Sequence, residues 1–157
     1  MDTVPEVIDL SPGLAIAIRS QLPMSELPGF FGNAFGELAA CGAEQIAGPP
    51  FAIYHAVDSD TIDVEAVMPV RAPVATRGRV HPLELAGGPA VQVKHIGPYE
   101  DLGVTHMTIQ QWLEDHHARR AGPVREIYLN EPRLPAENIT LVIQPIATGA
   151  TGAAGAA

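Results

Sequence analysis

Two acidic residues interrupt segments that otherwise read as apolar strands. Glu65 lies in Ile62-Asp63-Val64-Glu65-Ala66-Val67-Met68-Pro69, and Glu126 in Gly122-Pro123-Val124-Arg125-Glu126-Ile127-Tyr128. Side chains alternate along a strand, so Glu65 shares a face with Asp63 and Val67, and Glu126 with Val124 and Tyr128. A carboxylate withdrawn from water becomes a strong partner for a cation or an acid/base with a raised pKa. The alternative reading turns the Glu65 face to solvent. Tyr54, Tyr99 and Tyr128 are the only tyrosines and Trp112 the only tryptophan. Their rings can line a cation site, or the phenols can serve as structural hydrogen-bond donors. Glu126, Glu65 and Tyr128 are thus candidate catalytic residues as well as candidate ligand contacts.

Other clusters carry less. Glu114, Asp115, His116 and His117 adjoin one another, but no histidine pair has the i, i+4 spacing of a helical zinc site, so no metal is expected. Nucleophile-elbow, phosphate-loop and dinucleotide-binding patterns are missing from the sequence, and no cofactor is expected. Cys41 is the single cysteine, which excludes an intrachain disulfide and fits a small core residue.

The elements that must position these residues occur twice. Gly48-Pro49-Pro50-Phe51-Ala52-Ile53-Tyr54 is echoed 74 residues later by Gly122-Pro123-Val124-Arg125-Glu126-Ile127-Tyr128. Each is preceded by a helical pattern and followed by an apolar run closing on Pro69 or Pro145. In the first helix Leu27, Phe30, Phe31, Ala34, Phe35 and Leu38 recur at helical spacing; in the second Leu102, Thr105, Ile109, Trp112, Leu113 and His116 do so. The same offset sets Tyr54 against Tyr128 and Leu38 against Trp112. Hairpins are predicted about Ser11-Pro12-Gly13, about Asp58-Ser59-Asp60 and about Gly87-Gly88, with Arg71–Gly78 as the connection between copies. The expected fold class is α+β. Duplicated β-α-β-β halves, about residues 1–70 and 79–147, form one domain, an antiparallel sheet with two long helices on one face and a central cleft. Residues 148–157 contain only Ala, Gly and Thr and are expected to be a disordered tail.

Composition narrows the partners. Nine Lys+Arg against 18 Asp+Glu give a formal charge of −9, which repels nucleic acid and anionic membranes and attracts cations. No secretory leader or membrane-spanning run is read from the sequence, so a cytoplasmic location is expected.

The segments His95-Ile96-Gly97-Pro98-Tyr99-Glu100-Asp101-Leu102, Trp112-Leu113-Glu114 and Gly122-Pro123 through Asn130-Glu131-Pro132 resemble, in order and spacing, the GyrI-like small-molecule-binding domain family. This is also called the AraC effector-binding or gyrase-inhibitor-like family. The resemblance implies a duplicated bacterial fold whose cleft holds hydrophobic, often cationic, molecules. In many members the domain is the sensor of a transcription regulator, and some stand-alone members resemble hydrolases of strained cyclopropane toxins. Multidrug-sensing members carry a buried glutamate four residues before the closing proline. Here Leu141 occupies that place, whereas Glu65 occupies its equivalent in the first copy. The resulting ligand-contact set is Tyr54, Glu65, Tyr99, Trp112, Glu126, Tyr128 and Leu141.

The leading expectation is a stand-alone binding protein in a sensing or sequestering role. It has no direct nucleic-acid contact, and a protein partner or second copy is left open. The rivals are a hydrolase using the same acids, and an acidic inhibitor of a basic partner such as gyrase. Non-catalytic binding is preferred.

Overall fold

A computed structural model describes residues 2–129 and 134–148. The Asn130-Glu131-Pro132 motif and residues 149–157 of the expected tail lie outside the described residues. The chain forms strands β1 (Glu6–Leu10) and β2 (Gly13–Leu22), helix α1 (Leu27–Gly42), and strands β3 (Phe51–Val57) and β4 (Ile62–Val70). It continues as β5 (His81–Leu85), β6 (Gly88–Ile96), helix α2 (Leu102–Asp115), β7 (Val124–Tyr128) and β8 (Ile139–Pro145). The class is α+β, as expected, with two compact units: residues 12–86, and residues 2–11 with 87 onward.

The first unit is a four-stranded antiparallel sheet in the order β5-β2-β4-β3 with α1 on one face. Phe30, Ala34, Leu38 and Gly42, four residues apart, make the buried stripe of α1. Gly42 seats the helix end closely: a Cβ there would come within 3.2 Å of Ile46 and 3.5 Å of Ile16. Those contacts mark Ile16 and Val70 as facing the helix. By alternation Ile18, Val64, Ala66 and Met68 share that side, while Ala17, Glu65 and Val67 face away.

The second unit has the order β1-β6-β8-β7 with α2 on its sheet. Leu102, Ile109 and Leu113 pack on Val91, Val93, Val142 and Ile146. His117, at φ 51, ends the helix in the left-handed conformation common just past helix C-termini.

The repeat is visible in the hydrogen bonds. Ala47 N–H donates to Pro69 O and Ala121 N–H to Pro145 O, each at 2.9 Å. Register matches as well. Tyr54 pairs with Val64 and Ile53 with Glu65, while Tyr128 pairs with Thr140 and Ile127 with Leu141. Tyr54 and Tyr128 are therefore equivalent, as are Glu65 and Leu141. The helices align one residue differently from expectation. Their buried positions, Ala34 and Leu38 against Ile109 and Leu113, match at an offset of 75, so Leu38 corresponds to Leu113 and Trp112 lies beside the stripe.

Two expected hairpins do not form. β1 pairs with β6 across Glu6–Gln92 to Leu10–Gly88, and β5 pairs with β2 across Gly13–Leu85 to Ala17–His81. The Ser11-Pro12-Gly13 and Gly87-Gly88 signals are instead passages between units. Turn residues report that the chain bends but not which strand edge it meets. β2 and β6 each have an edge to cover, and the neighbour in sequence does not cover it.

Leu38, fully buried, should cost about 2–5 kcal/mol when truncated to Ala. Phe31, half-buried and outside the stripe, should cost clearly less. Urea unfolding with unchanged slope would show it, and equal losses would contradict the assigned α1 face.

Candidate functional site

β4 carries Glu65 into a nearly water-free position, 4 % exposed, on the sheet face away from α1. Its nearest strand partners are Ile53 on β3 and Arg19 on β2. Two histidines hold the carboxylate. His55 Nε2 lies 2.8 Å from Oε1, and His81 Nε2 lies 2.8 Å from Oε2. A bulge between Tyr54 and Ala56 leaves His55 as the extra residue of β3 and aims it at Glu65. The unexpected pairing of β5 with β2 brings in His81. Arg19 does not neutralise Glu65 by direct contact. Its guanidinium donates twice to Asp63, at 2.9 and 2.8 Å. That hydrogen-bonded pair holds the Asp63 carboxyl below the usual range, with the charge of Arg19 adding to the effect and desolvation opposing it.

A second glutamate cluster lies in the other unit, on the side of its sheet that carries α2. Glu126, 7 % exposed, accepts from the Tyr128 hydroxyl at 2.8 Å and pairs with His106 Nε2 of α2 at 2.7 Å. Tyr99 meets the Tyr128 ring edge-on, with centroids 5.8 Å apart. Burial, and secondarily the Glu126 charge, push the Tyr99 phenol above its usual pKa. With Nε2–H donating to the carboxylate, the neutral His106 ring carries its basic lone pair at Nδ1, the orientation of a carboxylate-held general base.

The expected set is thus divided. Glu126, Tyr128 and Tyr99 converge, with His106 added. Glu65 stands with His55 and His81, histidines that spacing alone does not single out. Leu141 is half-buried on the face away from α2, because Val142 beside it faces the helix. Trp112 packs at the edge of the α2 core and stacks on His116, centroids 4.1 Å apart. Tyr54, by register with Val64, lies on the α1 side of its sheet. The missed histidines have faint signals: His55 follows the Ile53-Tyr54 landmark and alternates onto the Ile53 face, and His106 adjoins the α2 stripe. His81 has none, since its strand is expected elsewhere. Among the described residues no metal-holding cluster of three His, Cys, Asp or Glu is present. None of the helices there is long and apolar enough to cross a membrane.

A repeated β-α-β-β unit, with a buried glutamate held by histidine in each copy, makes this a duplicated α+β domain. The chain belongs to the GyrI-like small molecule binding domain family, whose pattern matches residues 3–147. Among solved structures it is similar to the C-terminal domain of EcmrR, at 20% identity and TM-score 0.82, covering 91% of this chain and 96% of that one. Against the EcmrR chain solved with DNA the values are 21% and 0.82, covering 90% of this chain but 56% of that one, so this chain spans about half of that protein. It is also similar to a hydrolase from Listeria innocua, at 18% identity, 91% coverage of both chains and TM-score 0.69. SAV2435 bound to tetraphenylphosphonium is 11% identical, with coverage of 92% and 94% and TM-score 0.65. At such identities the likeness is one of fold. No curated protein matches the chain in sequence.

Two titrations follow from this geometry. Replacing Glu126 by Gln should lower the Tyr99 pKa only partway to its ordinary value, because burial is the larger cause. NMR of the Tyr99 ring would read this, and an unmoved midpoint would break the assigned proximity. Asp63 is depressed in the fold, so its contribution to stability is present above the ordinary carboxylate range and is lost as pH falls through its folded pKa. Arg19→Gln should raise the Asp63 midpoint in a carboxyl NMR titration and shrink the acid-sensitive part of the stability curve.

Proposed function

We propose that this chain binds a hydrophobic organic cation against the Glu65 face, in a sensing or sequestering role. The observation that carries this reading is a carboxylate almost fully withdrawn from water whose two direct partners are histidines, not a fixed cation. Arg19 is occupied by Asp63, so with neutral imidazoles Glu65 keeps an uncancelled negative charge in a low-dielectric place, where a cation is attracted far more than in water. Apolar Ile53 beside it and the −9 overall charge point the same way. Membership of the small-molecule-binding family supports the ligand class, and a structural neighbour solved with tetraphenylphosphonium supports the charge.

A hydrolase reading is favoured by one arrangement, the His106–Glu126–Tyr128 cluster with Tyr99 at its edge. There His106 would take a proton from water as the water oxygen bonds to a strained ring carbon. The ring C–C bond would break toward the substrate, and a phenol would protonate the departing electron pair. Similarity in fold to a hydrolase supports this second reading.

Calorimetric titration with tetraphenylphosphonium at pH 8 separates the two. Binding should weaken by about 2 kcal/mol or more in Glu65→Gln and change little in Glu126→Gln. Equal affinity of wild type and Glu65→Gln would overturn the cation site. Turnover of a cyclopropane electrophile, lost in Glu126→Gln, would establish the enzyme instead.

A further inference from the structure

The binding reading assigns Glu65 a charge preference. Its two histidines decide when that preference exists. We propose that His55 and His81 make Glu65 a proton-gated charge selector, taking hydrophobic cations without N–H donors at neutral to basic pH and releasing them in favour of hydrophobic anions in acid. The inference rests on the proposed binding site, and three observations carry it.

The first is occupancy. Each Glu65 oxygen already faces one imidazole nitrogen at 2.8 Å. A ligand N–H would have to compete with those donors or lose its own hydration without an acceptor, which is costly in a buried place. A permanently charged cation with no donors, such as a phosphonium or quaternary ammonium, has no such requirement and gains through charge alone.

The second is the charge count around the carboxylate. From β2 it meets Arg19 and from its own strand Asp63, which close a pair with each other and sum to zero. From β3 it meets His55 and from β5 His81. The cluster is therefore singly negative with both rings neutral, neutral with one protonated, and singly positive with both. Imidazole is the side chain whose ordinary titration falls in the range of about pH 5–8. Both ring nitrogens facing Glu65 donate in the neutral and charged forms alike, so protonation changes the charge without breaking either hydrogen bond.

The third is access. The side chain of Glu65 is 5% exposed, whereas those of His55 and His81 are 22% and 42% exposed. Solvent protons reach the histidines while the carboxylate stays shielded, so the gate and the charge it controls are separate groups.

The test uses a matched pair of probes, tetraphenylphosphonium and tetraphenylborate, which share a shape and differ in sign. Their affinities for the full chain are measured by calorimetry at pH 8 and pH 5.5. The cation-to-anion affinity ratio should fall by about tenfold or more between the two, the scale of ordinary site-to-site coupling. In the double variant His55→Gln, His81→Gln, whose amides still donate to Glu65, the cation preference should persist at both pH values. A wild-type ratio that ignores pH, or a shift that survives in the double variant, overturns the gate while leaving cation binding intact. If neither probe binds at either pH, the binding reading itself fails. A readout in the wild type guards against a variant that does not fold. By linkage, saturating tetraphenylphosphonium should move the NMR titration midpoints of His55 and His81 to lower pH, and unmoved midpoints reject the gate.

Discussion

The register of β4 between β2 and β3 is the constraint on which the first unit depends. β4 is buried along almost its whole length, with Val64, Ala66 and Met68 toward α1 and Glu65 and Val67 on the other side. A slip of one residue would exchange those sets. Glu65 would then enter the apolar layer under Phe30, Ala34 and Leu38, stripped of both histidines. An unpaired charge there costs far more than the slipped packing could return. The apolar stripe of α1 and the polar cluster on the far face therefore enforce the same pairing. The bulge at His55 is compatible with it because it re-aims one side chain and leaves Ile53 opposite Glu65.

The two copies share this frame and have placed their polar chemistry on opposite sides of it. Under α1 the layer is apolar, and the aromatic ring of Phe31 stacks on Phe35 at 5.4 Å beside it. Under α2 it contains the Glu126 cluster and a second buried network. There His95, 2 % exposed, faces Asp2 at 2.7 Å through Nδ1 and the Pro98 carbonyl at 3.0 Å through Nε2. Thr105 donates to the same Asp2 carboxylate. On the face away from the helix the order reverses, with Glu65 in one unit and Leu141 in the other. Duplication supplied equivalent positions, and divergence assigned them different environments.

These polar networks define α2 more sharply than propensity does. Thr3 N–H donates to Lys94 O and Lys94 N–H to Thr3 Oγ1, so the segment before β1 is laced to β6 beside the start of the helix. The helix itself begins without a side-chain cap. Its position comes from Leu102, Thr105, Ile109 and Leu113 packing downward and from His106 reaching Glu126. Buried polar groups of this kind favour one arrangement over near alternatives only when fully paired. Among the described residues Thr140 Oγ1 and Asn138 Oδ1 are buried without a partner, and both belong to β8 or its approach.

Periodicity and repetition were enough to read the elements, the duplication and the apolar faces of both helices, since those signals are local and recur every two or nearly four residues. They also placed Glu126 with Tyr128, because neighbours two apart on one strand share a face whatever the strand pairs with. The partners of Glu65 lay beyond that reach. His81 meets it only because β5 crosses to β2 instead of folding back on β6, and His55, which alternation already places on the Ile53 face, only because β3 pairs with β4 so that Ile53 stands opposite Glu65. Turn residues are local signals, whereas the choice of strand edge depends on which apolar surfaces the whole chain must cover. The sequence by itself determined which residues could do chemistry and on which elements they ride. Tertiary pairing alone decided that one glutamate would be held by two histidines and the other by a histidine and a phenol, because hydrogen-bond partners far apart in the chain are chosen by the sheet and not by the spacing.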